Sequence, residues 1–142
     1  KVLVVALDNA KTAVQLVRIA REARPDLHII ARARDRLHVY ELYKAGANDI
    51  VRELFDSSLR AGRYVLENME FSEFEAAEVE RSFYKHDRHI LRELAELWNP
   101  DVPLTQNEAY VTRTRELNSE LEAALVREIQ QQRAQGSMDA AE

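Results

Sequence analysis

Apolar positions along this chain follow two successive rhythms. The first alternates short continuous runs with helix-spaced ones. Val2-Leu3-Val4-Val5-Ala6-Leu7 is an unbroken, β-branched apolar run, the pattern of a strand buried on both faces of a parallel sheet. Asp8-Asn9 then supply a cap, and Ala13, Leu16, Val17, Ala20 and Ala23 trace one face of a helix that Pro25 ends. Leu27 to Ala31 reads as a second strand. Asp35 caps a second helix, apolar at Leu37, Tyr40 and Leu42 to Ala45 and closed by Gly46. Asp49 to Val51 is a short third strand, and Phe55 to Met69 a third helix with Leu59, Gly62, Val65, Leu66 and Met69 facing inward. Strand and helix alternating with short connections predict a doubly wound α/β unit with right-handed crossovers.

After Glu70 the rhythm is helical only. Ser72 and Glu75 form a capping box that opens a long helix. Its apolar seam is Val79, Phe83, Ile90, Leu94 and Leu97, and one step is missing at His86-Asp87. Asn99-Pro100 and Pro103 break the chain, and Thr105 with Glu108 suggests a second capping box. Tyr110, Leu117, Leu121, Ala124, Leu125 and Ile129 mark the last helix, and from Gln130 the periodicity fades. The expected fold is therefore α/β: a partial Rossmann-like unit of three parallel strands with helices, followed by two long C-terminal helices. The expected divisions are 1–70 for the α/β part, 71–135 for the helical extension and 136–142 for a disordered tail.

Composition narrows the classes. The 142 residues suffice to bury a real core. The net charge of −5 carries no sequence-wide footprint for nucleic acid, which is not expected as a partner. With no cysteine, disulfides, thiolate catalysis and thiolate metal sites are excluded. No apolar run approaches the roughly 20 residues needed to span a bilayer. The chain opens inside a strand, and three strands make a meagre sheet. The expectation is that further strands precede Lys1; completion of the sheet by a second copy is the other reading.

The candidate chemistry is cationic. Ile29-Ile30-Ala31-Arg32-Ala33-Arg34-Asp35-Arg36 runs from strand into an arginine cluster, at the edge where open α/β sheets bind ligands. Guanidinium forks hold carboxylate or phosphate in a bidentate way, and Arg32 and Arg34 share a face if the strand continues past Ala33. Solvated surface charge is the competing explanation. Arg52-Glu53 ends the third strand at the same sheet edge, and Asp8 ends the first, where it either holds a ribose hydroxyl or simply caps the helix. His86 and His89 lie three apart on a helix, but no complete metal-ligand set accompanies them, and no metal is expected. No nucleophile or paired carboxylate is set up for catalysis, so the site is expected to hold an anion and not to transform it.

Taken together, Ala6-Leu7-Asp8-Asn9, Ile29-Ile30-Ala31-Arg32-Ala33-Arg34-Asp35, His38, Ala45-Gly46-Ala47, Arg52-Glu53-Leu54-Phe55 and Ser58-Leu59 resemble the TrkA-N (RCK, KTN) regulatory domain of bacterial Kef systems, the glutathione-gated potassium efflux antiporters. The resemblance covers roughly residues 2 to 98. It implies a non-catalytic, dimeric domain on the cytoplasmic face of the inner membrane, attached to a transmembrane antiporter. Glutathione would hold that antiporter closed and glutathione conjugates would open it, with an accessory oxidoreductase subunit as a further partner.

The resemblance also assigns residues. It implies a ligand contact from Arg52, whose Arg-Glu-x-Phe motif matches, beside Arg32 and Arg34 as the candidates read from the sheet edge, and it aligns Asp87 with a family asparagine that contacts the tripeptide. Asp87 departs from that pattern, because an ionised carboxylate donates no hydrogen bond. An adenine nucleotide, AMP or NAD(H), belongs to the intact family domain, with Asp8 as the candidate contact here. The glycine-rich phosphate loop is absent: Gly46, Gly62 and Gly136 form no G-x-G pattern. The chain therefore reads as the second half of the lobe. A self-association module and a fragment of a nucleotide-binding oxidoreductase are the alternatives.

Overall fold

A computed structural model describes residues 1–139, with side chains through residue 135. It contains strands β1 (Val2–Val5), β2 (His28–Ala33) and β3 (Asp49–Arg52) and helices α1 (Ala10–Ala23), α2 (Arg36–Ala45), α3 (Glu53–Glu67), α4 (Glu73–Leu97) and α5 (Glu108–Asp139). A 3₁₀ turn at Leu104–Gln106 joins the last two helices. The residues group into two compact units that divide after Ser58.

In the first unit the strands form one parallel sheet in the order β1-β2-β3, so each β-α-β step advances in the same direction. With right-handed crossovers, that order lays α1 and α2 on a single face. Burial follows this arrangement. Val5, Ile29, Ala31 and Ala33 are sealed against Ala13 and Val17 of α1 and Val39 and Leu42 of α2. Each fully buried aliphatic side chain here contributes about 1.5–3 kcal/mol.

The opposite face is open. Val2 and Val4 are 63% and 64% exposed and Val51 is half exposed. This corrects the expectation of a first strand covered on both sides: the composition of β1 suits double burial, but no helix layer within this unit covers its second face.

Local punctuation explains the element ends. Asn9 Oδ1 accepts from Thr12 N at 2.9 Å to cap α1, and Asp35 Oδ1 accepts from His38 N at 2.9 Å to cap α2. Gly46 takes φ +108° to end α2, a left-handed conformation that suits glycine. Arg21 fastens this turn, donating from Nε and Nη2 to Gly46 O (3.1 and 2.8 Å) and from Nη2 to Asn48 Oδ1 (2.6 Å). β2 runs to Ala33, two residues beyond the expected end, which brings Arg32 into the strand.

The second unit is an antiparallel hairpin of α4 and α5. Its first turn carries the expected capping box, with Ser72 N donating to Glu75 Oε2 at 2.6 Å and Glu75 N to Ser72 Oγ at 3.2 Å. Val79, Ile90 and Leu94 of α4 and Tyr110 and Leu117 of α5 are buried. Arg113 of α5 reaches Glu93 of α4 at 2.6 Å and also holds Glu116 and Glu120; together these raise its pKa well above the ordinary arginine value.

Three expectations change in this unit and in α3. The second capping box does not form: Thr105 lies within the 3₁₀ turn, and Asn107 Oδ1 accepts from Tyr110 N instead. The last helix does not fade at Gln130. Gln132 is buried, and the Arg133 guanidinium lies 5.1 Å from the centre of the Phe71 ring. The α5 backbone continues to Asp139, and the rest of the expected tail, 140–142, lies outside the described residues. Finally, α3 fully buries none of its residues; Val65, and Met69 just past the helix end, both expected inside, are more than half exposed. Phe55, Leu59 and Leu66 are half-buried, and Arg63 Nη1 lies 3.6 Å from Glu80 Oε2 of α4.

Candidate functional site at the carboxyl edge of the sheet

The strand ends, with the residues just beyond them, collect most of the charged side chains singled out from sequence. The Arg32 Nη2 donates to Asp8 Oδ1 at 2.6 Å and to Ala6 O at 3.3 Å, and its Nε lies 3.7 Å from Glu53 Oε2. Arg32, within β2, thus ties together the residues that follow β1 and β3. Its pairing with Val51 in the sheet register puts it on the open face. Asp8 is one of its two carboxylate partners, while the Asp8 side chain itself stays fully exposed.

Arg34 sits differently. The strand ends at Ala33 and the backbone bends at Arg34, so strict alternation does not carry from Arg32 to Arg34. Arg34 lines an open depression of about 610 Å³ together with Asp8, Asn9, Ala10 and Lys11. Those residues include the cap and first turn of α1, whose N–H groups and dipole favour an anion. Neither α1 nor α2 has an acidic residue in its first turn, unlike α3, α4 and α5. Acids are common there because they complement the dipole. Within the helix itself, Lys11 adds to the positive end of α1, and Asp8, just ahead of the cap, is the carboxylate that lines the same depression.

Arg52, at the end of β3, stacks on Phe55 with its guanidinium carbon 3.9 Å from the ring centre. Such a cation–π contact fixes the plane of the fork. Arg52 is not among the residues lining the depression. The Arg-Glu-x-Phe spacing therefore has a local use: Arg52 packs on Phe55, and Glu53 faces Arg32.

Asp87 belongs to the second unit. It occupies the step missing from the α4 seam and is only 5% exposed. The apolar pattern was interrupted in chemistry but not in burial. His86 lies beside it and hydrogen-bonds through Nδ1 to Ser82 O at 2.8 Å, and His89 Nε2 pairs with Glu93 Oε1 at 2.8 Å. Among the described residues no cluster of three potential metal ligands occurs.

Sequence reasoning missed one residue of this edge, Lys11, for which a cation in the first turn of α1 was the available signal. It named His38 among the residues of the resemblance but gave it no role; the side chain is 2% exposed and accepts a hydrogen bond from Arg34 N through Nδ1 at 3.2 Å.

Residues 57–141 match the family described as the potassium efflux system KefB C-terminal domain, and residues 1–53 match the TrkA-N domain. Among solved structures, the chain is similar to the Kef C-terminal domain of Shewanella denitrificans in its AMP-bound form. The two are 37% identical with a TM-score of 0.66, over 69% of this chain and 62% of that one. The chain thus spans under two thirds of that domain's length. No helix among the described residues is long and apolar enough to cross a membrane. With more than half of its length matched, by the same helices that follow the three-stranded sheet, this chain belongs to the KefB C-terminal regulatory domain family of potassium efflux systems.

Proposed function

We propose that this chain is the cytoplasmic regulatory part of a potassium/proton efflux antiporter at the bacterial inner membrane. It has no catalytic role and is gated by glutathione and its conjugates. The observation that carries the reading is the depression where Arg34 and Lys11 meet the start of α1. Glutathione carries two carboxylates at neutral pH, and a guanidinium, an ammonium and a helix N-terminus are suited to hold one of them. Arg52, already oriented by Phe55, is the second contact. Arg32 joins only if the ligand displaces Asp8 or Glu53 from it. Asp87 is left out of this set because its carboxylate is buried.

Adenine nucleotide is a weaker proposal for this chain. Its relative was solved with AMP, but the three glycines here form no phosphate loop, and Asp8 is engaged by Arg32. The proposed partners are the transmembrane part of the antiporter, a second copy of this chain and an accessory oxidoreductase subunit.

Isothermal titration with glutathione and with a bulky S-conjugate tests the reading. Both ligands are expected to bind, and Arg34→Ala and Arg52→Ala to weaken them. Absence of binding by a folded chain would reject the glutathione reading. Turnover of a nicotinamide cofactor would favour an oxidoreductase.

A further inference from the structure

His38 is the third residue of the second helix, and its side chain does something unusual there. In a capping box the residue at this position, usually Glu or Gln, reaches back to a backbone N–H at the helix start. Here the reciprocal pair is Asp35 Oδ1 accepting from His38 N at 2.9 Å, and His38 Nδ1 accepting from Arg34 N at 3.2 Å. Only a neutral imidazole accepts at Nδ1, so the ring carries its proton on Nε2. That Nε2 is buried and has no partner among the described residues. An unsatisfied buried donor costs more than one neutral hydrogen bond returns. Histidine is therefore a poor choice for stability alone.

What the ring does achieve is local to Arg34. It holds the Arg34 backbone with an uncharged acceptor, one residue past the end of β2, where extended geometry has stopped. A glutamate would do the same while placing a carboxylate beside the Arg34 guanidinium, ready to compete with any anionic ligand. We propose that His38 is a positioning residue: its neutral Nδ1 fixes the Arg34 backbone, so that Arg34 lines the depression beside Lys11 with no carboxylate contributed from position 38. The ligand side of this role rests on the anion site proposed above; the backbone side does not.

The test uses the 142-residue chain and two variants. Asn in place of His38 keeps a neutral oxygen near the Nδ1 position, whereas His38→Leu keeps bulk and removes the acceptor. In the wild type, imidazole 15N NMR is expected to show the Nε2–H tautomer, and the Arg34 amide to be protected from hydrogen exchange. His38→Asn should retain that protection, while His38→Leu should lose it even if both variants melt at similar temperatures. For glutathione, His38→Leu is expected to weaken binding about five- to tenfold, the size of one lost positioning bond, with His38→Asn close to wild type. An Arg34 amide that exchanges freely in the wild type, or is equally protected in His38→Leu, overturns the proposal. So does equal glutathione affinity in all three chains. If the wild type binds no glutathione, the ligand reading fails, and the exchange comparison still decides the role of His38.

Discussion

At the scale of single residues, the three arginines at the sheet edge have different neighbours, and their substitutions should differ accordingly. Arg32 is bound to Asp8 and Glu53, whereas Arg34 lines the depression. Arg34→Ala is expected to weaken glutathione about tenfold or more, the cost of one charge-assisted contact of 1.4 kcal/mol or above. Arg32→Ala should change affinity less than twofold in the same titration. Asp8→Asn removes a negative charge from the depression and should strengthen binding, and a weakening would show that Asp8 contacts the ligand directly. These distinctions were only partly legible in sequence. The cluster and its edge could be read because strand ends are marked by Asp8, Asp35 and Arg52-Glu53. Which arginine is engaged internally depends on register, on where β2 stops, and on a ring at position 38. None of these leaves a trace in apolar periodicity.

At the scale of elements, caps and turn residues transmitted best, because each acts within a few positions of the chain. Asn9, Asp35, Gly46 and the Ser72–Glu75 box all behave as their spacing predicts. Elements that depend on distant partners are less legible: α5 is held past Gln130 by the Arg133–Phe71 contact, and α3 leaves Val65 exposed where an inward face was expected. Two measurements address the hairpin. Leu94 is fully buried between the long helices, so Leu94→Ala should cost about 2–5 kcal/mol in urea unfolding followed by far-UV circular dichroism. Ser72→Ala should cost about 1 kcal/mol by removing the cap. The same cap gives a pH dependence of known sign. Hydrogen bonds from the Ser72 side chain and backbone lower Glu75 from its ordinary value of 4.5, and the Arg24 fork lowers Asp26 from 3.8 to about 2. A depressed carboxylate stabilises the fold above its unfolded value and loses that contribution as pH falls through the folded one. Stability should therefore decline from about pH 4.5 downward, and Asp26→Asn should flatten the part of the decline that extends toward pH 2. A profile unchanged by that substitution would remove Asp26 from the account.

At the scale of the whole molecule, what stands out is apolar surface that the chain leaves uncovered. Leu54, Tyr64 and Val65 of α3, and Met69 just past its end, are each more than half exposed, and no residue of that helix is fully buried. Isolated helices of this length are marginal in water, and most helical stability comes from packing an apolar face. The exposed apolar positions of this amphipathic helix therefore imply a surface that packs on them. The proposed occupant is a second copy of the chain, and size-exclusion chromatography with light scattering at several concentrations tests it. The wild type is expected to give a dimer that dissociates on dilution. Val65→Glu with Met69→Lys should give a monomer at every concentration while keeping the helical circular dichroism signal, because neither residue is buried within the chain. A monomeric wild type, or a double variant that still dimerises, would assign the α3 face to another partner. Loss of helical signal together with dimerisation would show instead that α3 folds only against its partner, which still makes that face the interface.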